Sequence, residues 1–174
     1  MSDINKIATF TDIIGWNSFV ILFTMTLVLL KNKPTLLIYY VVGIVINYFL
    51  NYSMKGIIKQ PRPSGDVELI NIATHNGKRF GYDIYGMPSG HSQMAFYSVM
   101  FIHLALKNVK ITVIYLLVAV ATMYQRVKYR NHTVLQVVVG SLVGSIVGYV
   151  FFFIAQKNVV GKLLKKKDDN NLIT

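Results

Sequence analysis

Five stretches of this chain carry no Asp, Glu, Lys or Arg, and together they rule out most soluble folds. They run Ile13–Leu30, Thr35–Met54, Pro88–Leu106, Ile111–Tyr124 and Thr133–Gln156. A helix on a soluble protein shows one apolar stripe, whereas a helix apolar all round belongs in lipid or in a large core. A chain of 174 residues, 53% of them hydrophobic, cannot build a core that hides five such helices. Crossing the hydrocarbon takes about 20 apolar residues at about 1.5 Å each. The Ile111–Tyr124 run is short, but Lys110 and Arg126 at its ends can extend their charged heads to the interfaces. The expected fold is all-α: a polytopic membrane helix bundle of about five transmembrane helices, forming one domain over residues 1–174.

The first run is expected to be a span rather than a cleavable leader. Acidic Asp3 and Asp12 precede it, and no small-residue cleavage site follows. Lys31, Lys33 and a tight turn at Pro34 separate it from the second. Between the second and third spans lies a polar interlude, Gly56–Met87, rich in proline and glycine. Loops of that length are functional or disordered, and this one is expected to cover part of an active site. In the last span Gly140, Gly144 and Gly148 recur every fourth residue beside Ser141 and Ser145. Such a strip admits a neighbouring backbone. Packing within the chain is the preferred reading, with a homodimer as the alternative. The lysine-rich tail, residues 162–174, suggests no second domain.

A formal charge of +11 would suggest nucleic acid as a partner of a soluble protein. Here the basic residues sit in short loops between apolar runs, where anionic headgroups lie, so nucleic acid is not expected. There is no cysteine, which removes disulfides, thiolate zinc sites and cysteine nucleophiles. Four histidines and seven carboxylates argue against a dedicated divalent-metal cage, so no metal or other cofactor is expected. Five crossings put the termini on opposite sides. The loops at Lys31/Lys33 and Lys107/Lys110 then share the side of the basic tail, which the positive-inside rule makes cytoplasmic. The long loop and the Arg126–His132 turn face away from the cytosol.

Three groups of residues on that face carry chemistry. Lys55 and Arg62-Pro63 leave the second span together, a compact charge and a planar fork for phosphate oxygens. Pro88-Ser89-Gly90-His91 opens the third span, with Pro88 expected at the first helical position and the amides of Ser89 to His91 free to meet an anion. His91 there suits proton transfer near neutrality. Arg126 ends the fourth span, and His132 opens the last, with Gln136 one turn on. A nucleophilic imidazole needs one nitrogen free and the other held by an acceptor, a part the Gln136 oxygen can play. Each group alone is weak. All three on one membrane face, in a topology drawn from hydropathy, are a strong signal.

The K-x6-R-P, P-S-G-H and R-x5-H elements resemble the three signature motifs of the type 2 phosphatidic acid phosphatase superfamily, in that order. The resemblance covers roughly Asn51 to Val150. The strings Ile57–Pro63, Tyr85–Gln93 and His132–Val137 are most similar to the dolichyl diphosphate phosphatase branch. The resemblance implies that His132 attacks phosphorus to form a phosphohistidine and that His91 protonates the leaving oxygen and later helps activate water. It implies that Lys55, Arg62, Arg126, Ser89 and the Gly90 amide hold the phosphate oxygens.

Two residues depart from the common family pattern: Gln125 stands where Ser precedes the arginine, and Gln136 where Asp follows the nucleophile. An amide orients imidazole but stabilises imidazolium less than a carboxylate. In serine proteases the loss of that charge costs roughly 10⁴ in rate. The dolichyl-type branch resembles this chain in carrying Gln at the second position, which favours an active enzyme. Gln125 has no physical explanation from sequence. The favoured activity is hydrolysis of a polyprenyl diphosphate to the monophosphate, in an endomembrane such as the endoplasmic reticulum if the chain is of eukaryotic type. The alternatives are a broad lipid phosphate phosphatase and a non-catalytic lipid-phosphate binder. A vanadate peroxidase is disfavoured by the membrane spans and small size. His75 and His103 are not assigned to catalysis.

Overall fold

A computed structural model describes residues 10–63 and 81–162. Residues 64–80, with His75, and the tail beyond 162 lie outside the described residues. Six α-helices follow in order: α1 (Phe10–Trp16), α2 (Ser18–Leu29), α3 (Pro34–Ile58), α4 (Gly90–Leu106), α5 (Val109–Lys128) and α6 (Val134–Lys162). A single 3-10 turn, Gly81–Ile84, precedes α4, and no strand occurs among the described residues. The protein is an all-α, multi-pass membrane bundle.

Local chemistry sets the helix ends. The expected tight turn lies just before Pro34, with the Lys33 amide donating to the Leu30 carbonyl at 2.8 Å, and Pro34 itself opens α3, where its missing N–H costs nothing. Lys59 ends α3 in the left-handed conformation, and its amide donates to the Lys55 carbonyl at 3.0 Å. Lys107 closes α4 the same way on His103. The Asn108 side chain then caps α5 by accepting from the Ile111 amide at 3.2 Å.

The first apolar run is not one straight span. It breaks at Asn17, and α1 and α2 are bent by 70°. Among the described residues three helices, α3, α5 and most of α6, are long and apolar enough to cross a membrane, or four spans if the bent pair counts as one. The expected third span, α4, has only 17 residues and starts at Gly90, two residues later than expected.

That helix is the centre of the bundle and packs on α2, α3, α5 and α6. Its inward side carries Tyr97, Phe101 and Ile102, which are fully buried with Tyr40 of α3 and Tyr115 of α5. In lipid the hydrophobic effect does not drive helices together; close packing and interhelical hydrogen bonds do, the latter at about 0.6 kcal/mol each on average. Such bonds join Tyr40 Oη to Ser98 at 2.8 Å, Tyr115 Oη to Thr26 at 2.9 Å, and Asn51 to Gln93 at 2.8 Å.

The glycine strip of α6 packs on the backbone of α4. A Cβ added at Gly140 would lie 2.5 Å from the Ser89 carbonyl oxygen, and one at Gly148 would lie 2.7 Å from that of Tyr97. At Gly144 the nearest atoms all belong to the Gln93 backbone. This close approach sets the start of α4, with Ser89 and His91, beside the start of α6 and His132.

Candidate active site

Four short segments meet at one end of the bundle: the end of α3 with the following Lys59–Pro63, the 3-10 turn with its lead into α4, the α5–α6 turn, and the tip of α1. They enclose a cavity of about 190 Å³ lined by Trp16, Arg62, Asp83, His91, Arg126, Asn131 and His132. Arg62, His91, Arg126 and His132, drawn from three separate sequence motifs, thus share one small space.

The His132 ring is buried and held at both nitrogens. Nδ1 lies 2.9 Å from the Gly86 carbonyl oxygen, which can only accept, so Nδ1 carries the proton. Nε2 accepts from Arg62 Nη1 at 3.0 Å, so its one lone pair is held by that guanidinium at the wall of the cavity. Burial, and then the positive charges of Arg62 and Lys55, hold the His132 pKa well below its ordinary 6.5. The ring therefore stays neutral and carries a lone pair at physiological pH, as a nucleophile requires.

Gln136 has the expected contact with the ring and a second part besides. Its Oε1 is the more distant acceptor for Nδ1, at 3.3 Å, and also accepts from the Thr133 amide at 3.1 Å. Its Nε2 donates to Gln60 Oε1 at 3.0 Å and to the Pro61 carbonyl at 2.9 Å. Gln136 thus ties the Arg62-bearing segment to α6, while a backbone carbonyl fixes the imidazole tautomer. A carboxylate at 136 could not donate to those two acceptors. Gly86 has to be small, since an added Cβ would run into the Gln136 amide.

Gln125, unexplained by sequence, holds Arg126. Its Oε1 accepts from Arg126 Nε at 2.5 Å, and both residues are buried. One face of the guanidinium lies under Trp16, whose ring centroid is 4.5 Å from Cζ.

The start of α4 departs from expectation in two ways. Pro88 lies outside the helix, and Ser89 is the extended N-cap residue. The Ser89 amide is not free; it donates to the Gln136 carbonyl at 3.0 Å, because α6 approaches so closely at Gly140. Ser89 is fully buried and lines neither cavity at the site. Gly90 and His91 remain at the helix tip, beside Asn51, whose amide donates to the Pro88 carbonyl at 3.2 Å.

Lys55 sits in the last turn of α3, only 3% exposed. It lines a second, larger space of about 450 Å³ that adjoins the first through Asp83 and His91. Gly90 lines this groove too, with apolar walls from Phe19, Tyr48, Tyr52 and Met94.

Asp83 was not foreseen. Its carboxylate pairs with Lys55, and it lies 3.4 Å from Arg62 Nη2, which also donates to the Asp83 carbonyl at 2.9 Å. Tyr82 brings it there, its ring lying on α3 against Tyr52 and over Gly56, where a side chain would collide with it. The Gly56–Tyr82 pairing is invisible in sequence because 26 positions, most of them polar loop, separate the two. Among the described residues no three His, Asp, Glu or Cys side chains converge as a metal cluster. His103 sits in the last turn of α4, at the end opposite His91, and its Nδ1 meets Thr112 Oγ1 at 3.2 Å.

The PAP2 superfamily profile matches residues 36–159, a stretch that holds all eight expected site residues. The chain belongs to the PAP2 superfamily. This PAP2 protein is 30% identical over 157 residues to lipid phosphate phosphatase gamma of Arabidopsis thaliana, covering 78% of this chain and 65% of that one. It is 34% identical over 123 residues to the dolichyldiphosphatase of Saccharomyces cerevisiae, covering 64% of this chain and 48% of the relative. Human dolichyldiphosphatase 1 is 28% identical over 155 residues, covering 80% and 60%. The chain thus spans about half to two-thirds of the length of these relatives. No solved structure matches it.

Proposed function

We propose that this PAP2 protein is a membrane lipid phosphatase that hydrolyses a polyprenyl, dolichyl-type, diphosphate to the monophosphate through a phosphohistidine, without a metal. The observation that carries the reading is the neutral His132, with Nε2 turned into a cavity it shares with His91, Arg62 and Arg126. Substrate phosphate enters between Arg62 and His132, and Arg62 turns from Nε2 onto the phosphate oxygens. His132 Nε2 attacks the terminal phosphorus; a P–N bond forms as the P–O bond to the lipid monophosphate breaks. His91, which takes up a proton as the anionic phosphate enters beside it, gives that proton to the departing oxygen. Neutral His91 then takes a proton from water, whose oxygen attacks phosphorus; the P–N bond breaks and inorganic phosphate leaves. Arg62, Arg126, Lys55 and the Gly90 amide stabilise the charge on the transferring group, which is the main contribution a protein makes to this chemistry.

The groove beside Lys55 supports a lipid as the substrate, since its apolar walls lead away from the cationic end. The dolichyldiphosphatase relatives and the similarity of three motif strings to that branch favour a polyprenyl diphosphate. A broad lipid phosphate phosphatase is the second reading, favoured by the Arabidopsis relative's name. The active face is taken to be lumenal, as in an endoplasmic reticulum enzyme; glycosylation tags in the 56–87 segment that stayed unmodified would reverse this.

The decisive assay measures phosphate release by detergent-purified protein from polyprenyl diphosphate and from phosphatidic acid, with a chelator present. The diphosphate should show the higher kcat/KM, and His132→Ala should abolish both activities. Loss of activity on chelation removes the metal-free mechanism. A His132→Ala variant as fast as the parent removes the covalent one, and tight binding without turnover leaves a lipid-phosphate binder.

A further inference from the structure

The phosphate site has a wall that lies outside the three motifs, supplied by α1. Trp16 is the chain's single tryptophan and lines the cavity with Arg62, Arg126, His91 and His132. Its indole covers the Arg126 guanidinium at 4.5 Å and stands 6.2 Å, centroid to centroid, from the His91 ring. The placement is built rather than incidental. Fully buried Asp12, one turn earlier in α1, binds Lys128 Nζ at 2.9 and 2.6 Å and accepts from Tyr129 Oη at 3.1 Å. Gly15 lies so close to α5 that an added Cβ would sit 2.7 Å from both the Ala121 carbonyl oxygen and Gln125 Cβ. The 70° bend after Trp16 then lets α2 turn away while α1 stays over the end of α5.

We infer that Trp16 is a positioning residue of the phosphate site: its indole face and Gln125 Oε1 together hold Arg126 toward the cavity that receives phosphate. An arginine that must grip a transferring phosphate loses rotamer freedom on binding; one already fixed against a ring and an amide oxygen does not. A guanidinium stacked on indole also keeps its in-plane N–H donors available, because the ring takes only its face. The inference rests on the phosphate-site reading above, but not on the identity of the lipid.

The test uses full-length protein in detergent and inorganic phosphate as the probe. Binding to the parent, Trp16→Leu, Trp16→Phe, Arg126→Gln and the Trp16→Leu/Arg126→Gln double variant is measured by calorimetry, alongside thermal midpoints. Trp16→Leu should weaken phosphate about tenfold, the scale of a desolvated cation–π contact. Trp16→Phe should remain within about threefold of the parent, since it keeps an aromatic face. On the Arg126→Gln background, Trp16→Leu should cost nothing further, as expected of residues acting through one another. In the parent, phosphate should also change the emission of Trp16, a readout that survives even if Trp16→Leu fails to fold. Unchanged binding by Trp16→Leu, an equal loss on both backgrounds, or unresponsive emission at saturating phosphate would each overturn the inference. Phosphate binding that follows the expected pattern without turnover of any lipid would retain Trp16 and remove the enzymatic reading.

Discussion

The carboxylate of Asp83 occupies two cations of the proposed phosphate site, so replacing it with an amide should tighten phosphate binding. In Asp83→Asn the side chain keeps its size and loses its charge. Two cations are affected: Lys55, in direct contact and 3% exposed, and Arg62 Nη2, 3.4 Å away. Coulomb's law at that spacing gives about 1 kcal/mol in water and about 5 kcal/mol at an effective dielectric of 20. Asp83 itself is 52% exposed, so solvent screens the interaction toward the surface-pair range of about 0.2–1 kcal/mol. A phosphate that reaches Lys55 and Arg62 must displace this contact or sit beside a negative charge, and both costs vanish in the variant. The expected gain is about 1 kcal/mol, or about fivefold in Kd for inorganic phosphate by calorimetry. KM for lipid substrate should fall by a similar factor without a rise in kcat, because the competition acts on binding. Weaker phosphate binding by Asp83→Asn would refute the reasoning. The carboxylate would then be holding Lys55 and Arg62 in place instead of competing for them.

Three further outcomes are expected. Gly144→Ala forces a Cβ onto the Gln93 backbone of α4, where no flexible side chain can yield. It should cost about 1–3 kcal/mol, read as a lowered thermal midpoint in detergent, and an unchanged midpoint would mean that α4 and α6 separate freely. Because the His132 pKa is held below 6.5, protonation removes the proposed nucleophile only as pH falls well under that value. The acid limb of kcat/KM should therefore lie below pH 6.5, and a loss centred at or above 6.5 that tracks His132 would contradict the buried, cation-flanked ring. Gln136→Glu replaces the donor facing Gln60 and Pro61 with an acceptor. Despite adding the carboxylate common in the family, it should lower kcat/KM by about tenfold, the scale of leaving buried polar partners unpaired; a faster enzyme would show that imidazolium stabilisation outweighs the tie.

The helical class, the approximate run boundaries, and the convergence of Lys55, Arg62, His91, Arg126 and His132 at one end of the bundle were legible before any coordinates. Hydropathy is a property of contiguous residues, and helix ends depend on neighbours a few positions away, as at Pro34 and Asn108. The number of crossings was less legible. The break at Asn17 and the short α4 depend on which neighbours cover each helix, and an apolar run reads the same whether straight or bent. The glycine strip announced a close neighbour but could not say which; it is α4.

At the site, residue types were readable and their partners were not. The acceptor that fixes the His132 tautomer is a backbone carbonyl at Gly86, and every residue has such a group, so nothing in the sequence marks that one. Asp83 and Trp16 reach the cavity because Tyr82 lies over Gly56 and α1 is anchored at Asp12, contacts between segments far apart in the chain. Gln125 and Gln136 stood out as departures from a pattern, but their work depends on atoms supplied by other elements. Sequence alone determined which groups could do phosphate chemistry. Only the tertiary structure decided which nitrogen faces the cavity, which cation is already engaged and which ring holds Arg126, because those are properties of distance and direction between residues that the chain does not make neighbours.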